Sequence, residues 1–320
     1  MERRTFLGGF LGVGALVATS SLPARGEDKP SVFPSRGRFE RLSVSISTVE
    51  IGLQKPFSVL HISDTHLTAA YPHESESKQM LCKCRTETFG GMQEAALRDS
   101  LDWAKSHTEF VVHTGDLIDW QSEANFDLVK KYFGSGVCGC VGNHEFSPDM
   151  WLSKPAETKD EAWKDRTRAQ VAAVYPFDIS IQSTVANGVN FVTLDNVFGS
   201  VTKAQVKRFA EEVAKGFPIV LCMHVPFFSE GLWRAKRHCW SAEPRKFASA
   251  DVPAADGDFL VQKNDPTTRD FITYLKGEPL LKAILAGHLH LAYEERFSPT
   301  AVQYVVGGNY LFHGRELLFV

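Results

Sequence analysis

The sequence predicts a single α/β domain in which helices cover central sheets. Short apolar runs typical of buried strands alternate with longer segments in which apolar residues recur at helical spacing. In addition, five of the apolar runs end directly in glycine, histidine, aspartate or asparagine residues, as strands do when their carboxyl ends form a site. No change of composition marks a boundary within residues 38–320, so we predict one domain there.

The first half of this domain is predicted to begin at a sheet edge. Apolar residues alternate through residues 42–53, and a change of parity within the run indicates an antiparallel hairpin. Phe57–Ile62 is too short and too continuously apolar for a typical helix, so we predict a buried strand. Residues 68–91 form a polar insertion, and the helical periodicity beyond it predicts helices over 92–106, 125–133 and 160–175.

The second half contains two strong local signals. Asn187-Gly188 between alternating apolar residues predicts a hairpin of strands 179–185 and 189–194. Thr202 and Gln205 have capping-box spacing, so a helix is expected to start there and continue to Gly216. The remaining predictions are a mostly irregular segment over 224–263, a helix from Asp265 to Gly277, and strands over 301–306 and 317–320.

Residues 1–24 are predicted to be an export signal rather than part of the fold. Paired arginines precede an apolar, glycine-rich stretch and then small residues, the three-part organisation of a signal peptide. Arg3-Arg4-Thr5-Phe6-Leu7 resembles the twin-arginine type, so we expect the twin-arginine export machinery as a partner and a periplasmic or otherwise exported location. The apolar stretch is too short to span a bilayer, so no stable membrane span is expected after cleavage. Residues 25–37 are expected to be a linker.

Charge and cysteine content set further limits. A formal net charge of -3 gives no bulk electrostatic reason to expect a nucleic-acid partner. An oxidising destination would permit disulfides among the six cysteines, and a bridge from Cys82 or Cys84 to another cysteine stays open. Cys222 lies inside an apolar run and is expected to be a buried thiol. The oligomeric state is not predicted.

Polar residues that could bind metal ions follow five of the predicted strands. They comprise two aspartates, one asparagine and five histidines, and residues at the carboxyl ends of strands gather in one crevice. Imidazole and carboxylate together suit divalent ions such as Mn, Fe, Zn or Co. Burying these groups without a cation would be costly, so we predict a metal site. The five groups are Asp64 with His66, Gly115-Asp116, Gly142-Asn143-His144-Glu145, His224, and Gly287-His288-Leu289-His290.

The ordered set resembles the calcineurin-like metallophosphoesterase superfamily, whose motifs read Asp-x-His, Gly-Asp, Gly-Asn-His-Asp/Glu, His and Gly-His-x-His. Each motif is weak alone, but five in this order, each at the end of an apolar run, are specific. The resemblance covers about residues 57–297. It implies a four-layer α/β/β/α sandwich of two packed mixed sheets flanked by helices. Together with the twin-arginine-type signal, it leads us to predict an exported bacterial member of the superfamily.

The same resemblance implies two divalent metal ions and a role for each residue. Hydroxide held between the ions would attack phosphorus in line, and His144, oriented by Glu145, would protonate the departing alkoxide. Glutamate stands here where many members have aspartate. Asp116 would bridge the ions; the first would be completed by Asp64, His66 and His290, and the second by Asn143, His224 and His288.

Other polar side chains have ordinary structural explanations. His61 and His113 lie inside predicted strands and are expected to be hydrogen-bonded core residues. Aromatic and basic residues within 225–263 could stack a base and bind a second phosphate. An equal alternative is a solvated basic loop that its aromatic residues hold in place. These aromatic and basic residues are Trp233, Arg234, Lys236, Arg237, His238 and Trp240.

The implied activity is hydrolysis of a small phosphorylated substrate, with a phosphodiester or nucleotide favoured. A phosphomonoesterase that scavenges phosphate is the alternative. A non-catalytic metal-binding scaffold is less favoured, because such a protein would be expected to lose ligands or the general acid, and none of the motif residues is missing.

Overall fold

The computed structural model describes residues 41–134, 136–148, 161–240, 262–263 and 265–320. These residues fall within one compact unit, Phe39–Val320. The predicted signal and linker lie outside the described residues, so the export prediction and the domain boundaries stay predictions. None of the helices in the described ranges has the length and apolar character that crossing a bilayer requires.

Two mixed sheets form the centre of the fold. The described strands are β1 (Ser43–Val49), β2 (Phe57–Ile62), β3 (Phe110–Thr114), β4 (Val137–Cys140), β5 (Ile181–Ala186), β6 (Val189–Leu194), β7 (Ile219–Met223), β8 (Leu281–Ala286), β9 (Tyr293–Arg296), β10 (Val302–Val305) and β11 (His313–Phe319).

Most neighbouring strands are parallel in both sheets. The first sheet has the order β1-β11-β2-β3-β4, and only the β11–β2 pair is antiparallel. The second has the order β5-β6-β7-β8-β10-β9, with antiparallel pairs at its two edges. The carboxyl ends of β2, β3 and β4 therefore share one edge of the first sheet, and those of β7 and β8 share one edge of the second.

Helices cover the outer faces of both sheets. Between the sheets, apolar side chains such as Val112, Phe191 and Leu285 form a buried layer. Separate clusters join the first sheet to α2 (Gln93–His107), α3 (Glu123–Tyr132) and α4 (Glu161–Ala172), and the second sheet to α5 (Lys203–Val213) and α7 (Pro266–Gly277). The predicted arrangement of two mixed sheets flanked by helices is confirmed. The helices are α1 (Glu76–Thr88), α2 (Gln93–His107), α3 (Glu123–Tyr132), α4 (Glu161–Ala172), α5 (Lys203–Val213), α6 (Glu230–Trp240) and α7 (Pro266–Gly277).

Local signals predicted several elements correctly. Asn187 and Gly188 have φ angles of 49° and 81° and connect β5 to β6 as an antiparallel hairpin. Thr202 and Gln205 form the predicted capping box at the start of α5. Both signals depend on residues that are adjacent or one helical turn apart, so tertiary packing did not need to be known.

The edge hairpin predicted over residues 42–53 is wrong. β1 is a single strand that pairs in parallel with β11, although it does lie at the sheet edge. The parity changes because the chain leaves the strand after Val49, where Ile51 and Gly52 donate backbone hydrogen bonds to the carbonyl of Val320. Ile51 then packs against the layer between the sheets.

The segments predicted to be insertions contain helices. α1 lies within residues 68–91, and α6 occupies part of 224–263, which we expected to be mostly irregular.

All six cysteines are free thiols, so no bridge joins Cys82 or Cys84 to another cysteine. Cys222 is fully buried, as predicted.

Candidate metal centre

Both sheets contribute side chains to one cluster at the carboxyl ends of their strands. Parallel strands of a sheet end at the same edge, which is why residues far apart in the sequence meet there. The structure brings together all seven residues predicted as metal ligands. Asp64 and His66 follow β2, Asp116 follows β3, Asn143 follows β4, His224 follows β7, and His288 and His290 follow β8.

Asp64, His66 and His290 form the first group of candidate ligands, and their ligand atoms all lie within 4.8 Å of one another. The Nε2 atoms of His66 and His290 are 3.0 Å apart. Nε2 of His290 is 3.3 Å from Oδ1 of Asp64. His66 and Asp64 are buried, whereas the side chain of His290 is 23% exposed, so this group is reached from solvent on the His290 side.

Asp116, His224 and His288 form the second group, within the same 4.8 Å limit. Nδ1 of His288 is 3.0 Å from Nε2 of His224. Asn143 joins this group through its side-chain oxygen, which lies 3.2 Å from Nε2 of His224. Nδ1 of His224 donates to the carbonyl oxygen of Thr114 at 2.7 Å, which leaves Nε2 as the atom that faces the cluster.

One carboxylate oxygen connects the two groups. Oδ2 of Asp116 lies 3.2 Å from Nε2 of His224 in the second group and 3.9 Å from Nε2 of His66 in the first. Oδ1 of Asp116 accepts a hydrogen bond from the backbone N–H of His144 at 2.9 Å. The carboxylate is thus held by its other oxygen, and Oδ2 faces both groups.

The donor atoms fit divalent cations. Two pairs of imidazole nitrogens face each other at 3.0 Å, a distance at which only one nitrogen of each pair can carry a hydrogen. Within the described residues, Oδ1 of Asp64 and Nε2 of His288 are buried without a hydrogen-bond partner. Nitrogen and oxygen donors of this kind suit Zn, Mn, Fe or Co.

Backbone strain is concentrated at the candidate ligands. Of the eight described residues other than glycine that have a positive φ, five are Asp64, His66, Asp116, His288 and His290, with φ between 51° and 68°. The left-handed region costs a residue with a Cβ atom about 1–2 kcal/mol. Strain of this kind persists where the surrounding structure imposes it, and it is characteristic of functional sites.

The glycines of the motifs allow close approach between chain segments. Gly115 has a φ of 92°, and a Cβ atom there would lie 2.7 Å from the backbone nitrogen of Gly142 and from Nδ1 of His224. At Gly142 and Gly287 the φ is not left-handed, but a Cβ atom would overlap the side chains of Asp116 and Asp64, respectively. The motifs therefore require glycine because neighbouring backbone and side-chain atoms, some of them from the candidate ligands, occupy the space.

Charges and burial within the cluster shift the pKa values of two candidate ligands, His224 and His288, in opposite directions. Burial lowers the pKa of His224, but Asp116 and Asp64 outweigh it and raise that pKa to about 9. Burial and the charge of His224 lower the pKa of His288 to about 3. A cation that binds Nε2 of His224 must therefore displace a proton, and the neutral His288 is ready to act as a ligand.

His144 lies beside the two groups and is oriented by Asp119. Nδ1 of His144 is 3.0 Å from Oδ1 of Asp119 and 2.9 Å from its carbonyl oxygen. Nε2 of His144 lies 3.8 Å from Oδ2 of Asp116. Burial lowers the pKa of His144, but the charges of Asp116 and Asp119 outweigh burial and raise it to about 9. The ring can therefore hold a proton at Nε2, facing the cluster.

Asp119 connects His144 to a metal-ligand candidate and to α1. Oδ1 of Asp119 also lies 2.9 Å from Nδ1 of His66. Arg85 on α1 donates to both carboxylate oxygens, at 2.5 and 3.0 Å. Although His66, Asp119 and His144 lie within metal-binding distance of one another, the bidentate arginine makes Asp119 an orienting carboxylate rather than a ligand.

The expected role of Glu145 has to be corrected, because its carboxylate faces away from His144. It accepts backbone hydrogen bonds from Asp116, Leu117 and Gly142 at 3.0, 2.8 and 2.6 Å. The hydroxyl of Tyr175 donates to it at 2.9 Å. Glu145 therefore fixes the loop that carries Asp116 to the loop that carries Asn143.

Replacing Glu145 by glutamine should destabilise the protein by about 3 kcal/mol, because an NH₂ group would face backbone donors that now bind a charged acceptor. The loop with Asp116 should also lose its position, so the affinity for metal ions should fall. Chemical denaturation in the presence of a chelator measures the first effect, and calorimetric titration with Mn²⁺ measures the second. Glu109→Gln, at an exposed position, is the control. Unchanged stability of Glu145→Gln would contradict this role.

Two aromatic rings surround the first ligand group. Phe89 stacks on the ring of His66 at a centroid distance of 4.6 Å, and Tyr310 contacts Phe89 at 4.7 Å. The hydroxyl of Tyr310 lies 3.3 Å from Nδ1 of His290. Both rings belong to segments that carry no predicted ligand, and they orient His66 and His290 from outside the cluster.

Four residues around the ligand groups were not predicted from the sequence, namely Asp119, Arg85, Phe89 and Tyr310. Asp119 follows Asp116 by three residues in the run Gly-Asp-Leu-Ile-Asp, and a second acidic residue so close to a predicted ligand could have suggested a supporting role. The other three carry no sequence signal, because their contacts depend on how α1 and the chain before β11 pack.

The prediction that His61 and His113 are hydrogen-bonded core residues is confirmed. Nε2 of His61 pairs with the hydroxyl of Thr114, and Nε2 of His113 pairs with the hydroxyl of Thr65, both at 2.9 Å. Both rings are buried.

The aromatic and basic residues after His224 belong mostly to α6. Trp233 is only 7% exposed, and Lys236 and Arg237 lie over its ring at 4.4 and 5.5 Å. Arg234 donates to Glu230 at 3.0 Å. Trp233 thus holds the helix in place and offers no face for stacking a base, whereas the side chain of Trp240 lies outside the described part of the structure.

The comparison with protein families identifies the chain. The family model for calcineurin-like phosphoesterases matches residues 57–292, so the chain belongs to this family. Together with the fold and the cluster of histidine and aspartate residues, this makes it a metallophosphoesterase. A comparison with curated proteins gave no significant match.

Solved structures of phosphoesterases are similar at low sequence identity. A dimetal phosphatase from Danio rerio is 13% identical, with 79% of this chain and 88% of that chain covered and a TM-score of 0.44. A putative 5'-nucleotidase from Staphylococcus aureus is 13% identical over 80% of this chain and 49% of that chain, with a TM-score of 0.41. A calcineurin-like phosphoesterase from Bacillus subtilis is 12% identical over 80% and 82%, with a TM-score of 0.35.

Proposed function

We propose that this enzyme hydrolyses phosphoesters with two divalent metal ions held by the two ligand groups. The observation that carries the proposal is the position of Asp116, one oxygen of which faces His224 in one group and His66 in the other. A carboxylate shared in this way is what a pair of ions roughly 3.5–4 Å apart requires. Asp64, His66 and His290 would hold the first ion, and Asn143, His224 and His288 the second.

The bound ions would supply charge for the phosphoryl oxygens and activate the attacking water. In the reaction, a P–O bond forms to the oxygen of that water, and the P–O bond to the ester group breaks. The departing oxygen needs a proton, which His144 can provide from Nε2. Asp119 holds Nδ1 of His144 at 3.0 Å, and this contact directs the Nε2 proton towards the site.

The proposal also covers the class of substrate. We favour phosphodiesters or nucleotides, with a phosphomonoesterase for phosphate scavenging as the alternative. The cavity beside His290 supports substrates larger than a simple phosphate, because its volume is about 610 Å³. A scaffold without activity is the remaining alternative, and the complete set of ligands around Asp116 argues against it.

We expect purified protein supplied with Mn²⁺ or Zn²⁺ to hydrolyse both p-nitrophenyl phosphate and bis-p-nitrophenyl phosphate, the diester faster. Removal of the ions with a chelator should abolish turnover of both substrates, because activation of water and binding of the phosphoryl group depend on the ions. Re-addition of either ion should restore it.

Release of p-nitrophenol measures both reactions, and metal analysis of protein from its own host identifies the ions. Faster turnover of the monoester would favour the phosphomonoesterase. A protein that binds the ions but hydrolyses neither compound, nor any phosphoester in a wider panel, would be a scaffold.

A further inference from the structure

A cavity of about 610 Å³ lies beside the metal centre, on the side of His290. Pockets that bind small organic molecules have volumes of about 300–1,000 Å³, so this one has room for much more than a phosphate group. The residues that line it belong to the end of α6, the loop after β8 and the turn before β11. They are Cys239, His290, Leu291, Ala292 and Tyr310.

Tyr310 is held firmly between the cavity and the first ligand group. Its hydroxyl contacts Nδ1 of His290 at 3.3 Å, and its ring contacts the ring of His290 at 5.3 Å. The ring of Phe89 packs against the ring of Tyr310 at a centroid distance of 4.7 Å. The backbone N–H of Tyr310 donates to the carbonyl oxygen of Asp64 at 3.4 Å. An aromatic surface fixed in this way can bind a ligand with little loss of side-chain entropy.

The residues that line the cavity favour an uncharged organic group of the substrate. Apart from His290, which belongs to the first ligand group, the lining residues are an aromatic ring, two aliphatic side chains and a thiol. No lysine or arginine is among the lining residues that the structure describes, so these residues offer no cation for a second phosphate. Leu291 is 7% exposed and belongs to one apolar cluster with Leu232 and Leu289.

We propose that this cavity, the Tyr310 subsite, binds the organic ester group of the substrate and selects phosphoesters that carry an aromatic ring or another large apolar group. The inference rests on the proposed function, because it assumes that the phosphate lies at the two ligand groups. A phosphate held near His290 would place its ester group within reach of Tyr310, since the two side chains touch.

The test compares 3-phenylpropyl phosphate with n-propyl phosphate, each as a monoester and as its methyl diester. Both esters release primary alcohols of similar acidity, so a difference in turnover reports binding rather than leaving-group reactivity. We expect kcat/KM to be about tenfold or more higher for the phenylpropyl compounds, as burial of a ring against an aromatic side chain predicts.

Variants identify the subsite. Tyr310→Ala should remove most of the preference, whereas Tyr310→Phe, which keeps the ring but loses the hydroxyl contact to Nδ1 of His290, should retain it. Ala292→Trp, at an exposed position, should occupy part of the cavity and also reduce the preference. Leu311→Ala is the matched control, because Leu311 is the neighbouring residue, is 50% exposed and is not among the lining residues. Its ratio of kcat/KM values should equal that of the wild type.

Two outcomes would overturn the inference while the proposed function stands. One is equal turnover of the two esters by the wild-type enzyme. The other is a preference that persists in both Tyr310→Ala and Ala292→Trp.

If no ester is hydrolysed under any metal condition, the proposed function fails, and binding of 3-phenylpropylphosphonate against propylphosphonate still tests the subsite. Calorimetry should then show tighter binding of the phenyl compound by wild-type protein and by Tyr310→Phe only. Equal affinities would overturn the inference.

Discussion

Asp116→Asn should lower kcat by about 10³-fold or more and reduce the number of bound metal ions, because charge stabilisation by metal ions contributes several kcal/mol to phosphoryl transfer. Oδ2 of this carboxylate faces His224 at 3.2 Å and His66 at 3.9 Å. An amide carries no charge, and only one of its two side-chain atoms can act as a ligand. We therefore expect the variant to lose the ion of at least one group, which elemental analysis after gel filtration would measure.

A matched carboxylate elsewhere controls for nonspecific effects of the substitution. Asp127 accepts hydrogen bonds from Tyr71 and Lys130 on the surface, so Asp127→Asn should leave metal content and kcat unchanged. Thermal unfolding with excess chelator would show whether Asp116→Asn still folds. A folded Asp116→Asn protein with full metal content and full activity would refute a bridging carboxylate.

Replacement of His144 by glutamine should slow hydrolysis of alkyl phosphoesters by about 10²–10⁴-fold, the usual contribution of a general acid. The effect on p-nitrophenyl esters should be much smaller, because p-nitrophenolate leaves without a proton. Metal content should remain that of the wild type, since Nε2 of His144 lies 3.8 Å from Asp116 and His144 belongs to neither proposed ligand group. A series of leaving groups of rising pKa measures this difference as a steeper dependence of kcat on leaving-group pKa.

Two further variants separate proton donation from structural damage. Asp119→Asn should show the same dependence on leaving group in weaker form, because it removes the negative charge beside Nδ1 of His144 but keeps the backbone carbonyl that also contacts this nitrogen. His107→Gln, at an exposed position on α2, should behave as the wild type. An equal loss for all leaving groups in His144→Gln would show that the histidine acts on metal binding or folding instead.

The strands and the cluster of candidate metal ligands could be predicted because their signals are local. Short apolar runs identified β2, β3, β4, β7 and β8, and the polar residues directly after them were the ones that the structure brings together. What the sequence could not predict is which atoms face each other. The position of Asp116 between the two groups depends on the left-handed turn that follows β3, with φ of 54° at Asp116 itself.

Contacts to backbone groups explain the main errors in the predictions made from the sequence. Glu145 follows His144 directly, so a contact between these neighbours was a natural expectation. The structure instead directs the carboxylate to backbone N–H groups of residues 116–118 and 142, and no side-chain pattern reveals where such groups converge. In the same way, β1 pairs with the last strand of the chain, a partner that local alternation over residues 42–53 could not indicate.

The bidentate contact of Arg85 with Asp119 means that the reactivity of this enzyme can be adjusted from outside the ligand set. Arg85 lies on a helix that carries none of the proposed metal ligands, yet through one shared carboxylate it acts on both the proposed ligand His66 and the proposed proton donor His144. Two proteins with identical ligands could therefore work at different rates because of a single residue on α1. Variation in this helix would then change catalysis while the metal-binding motifs stay the same.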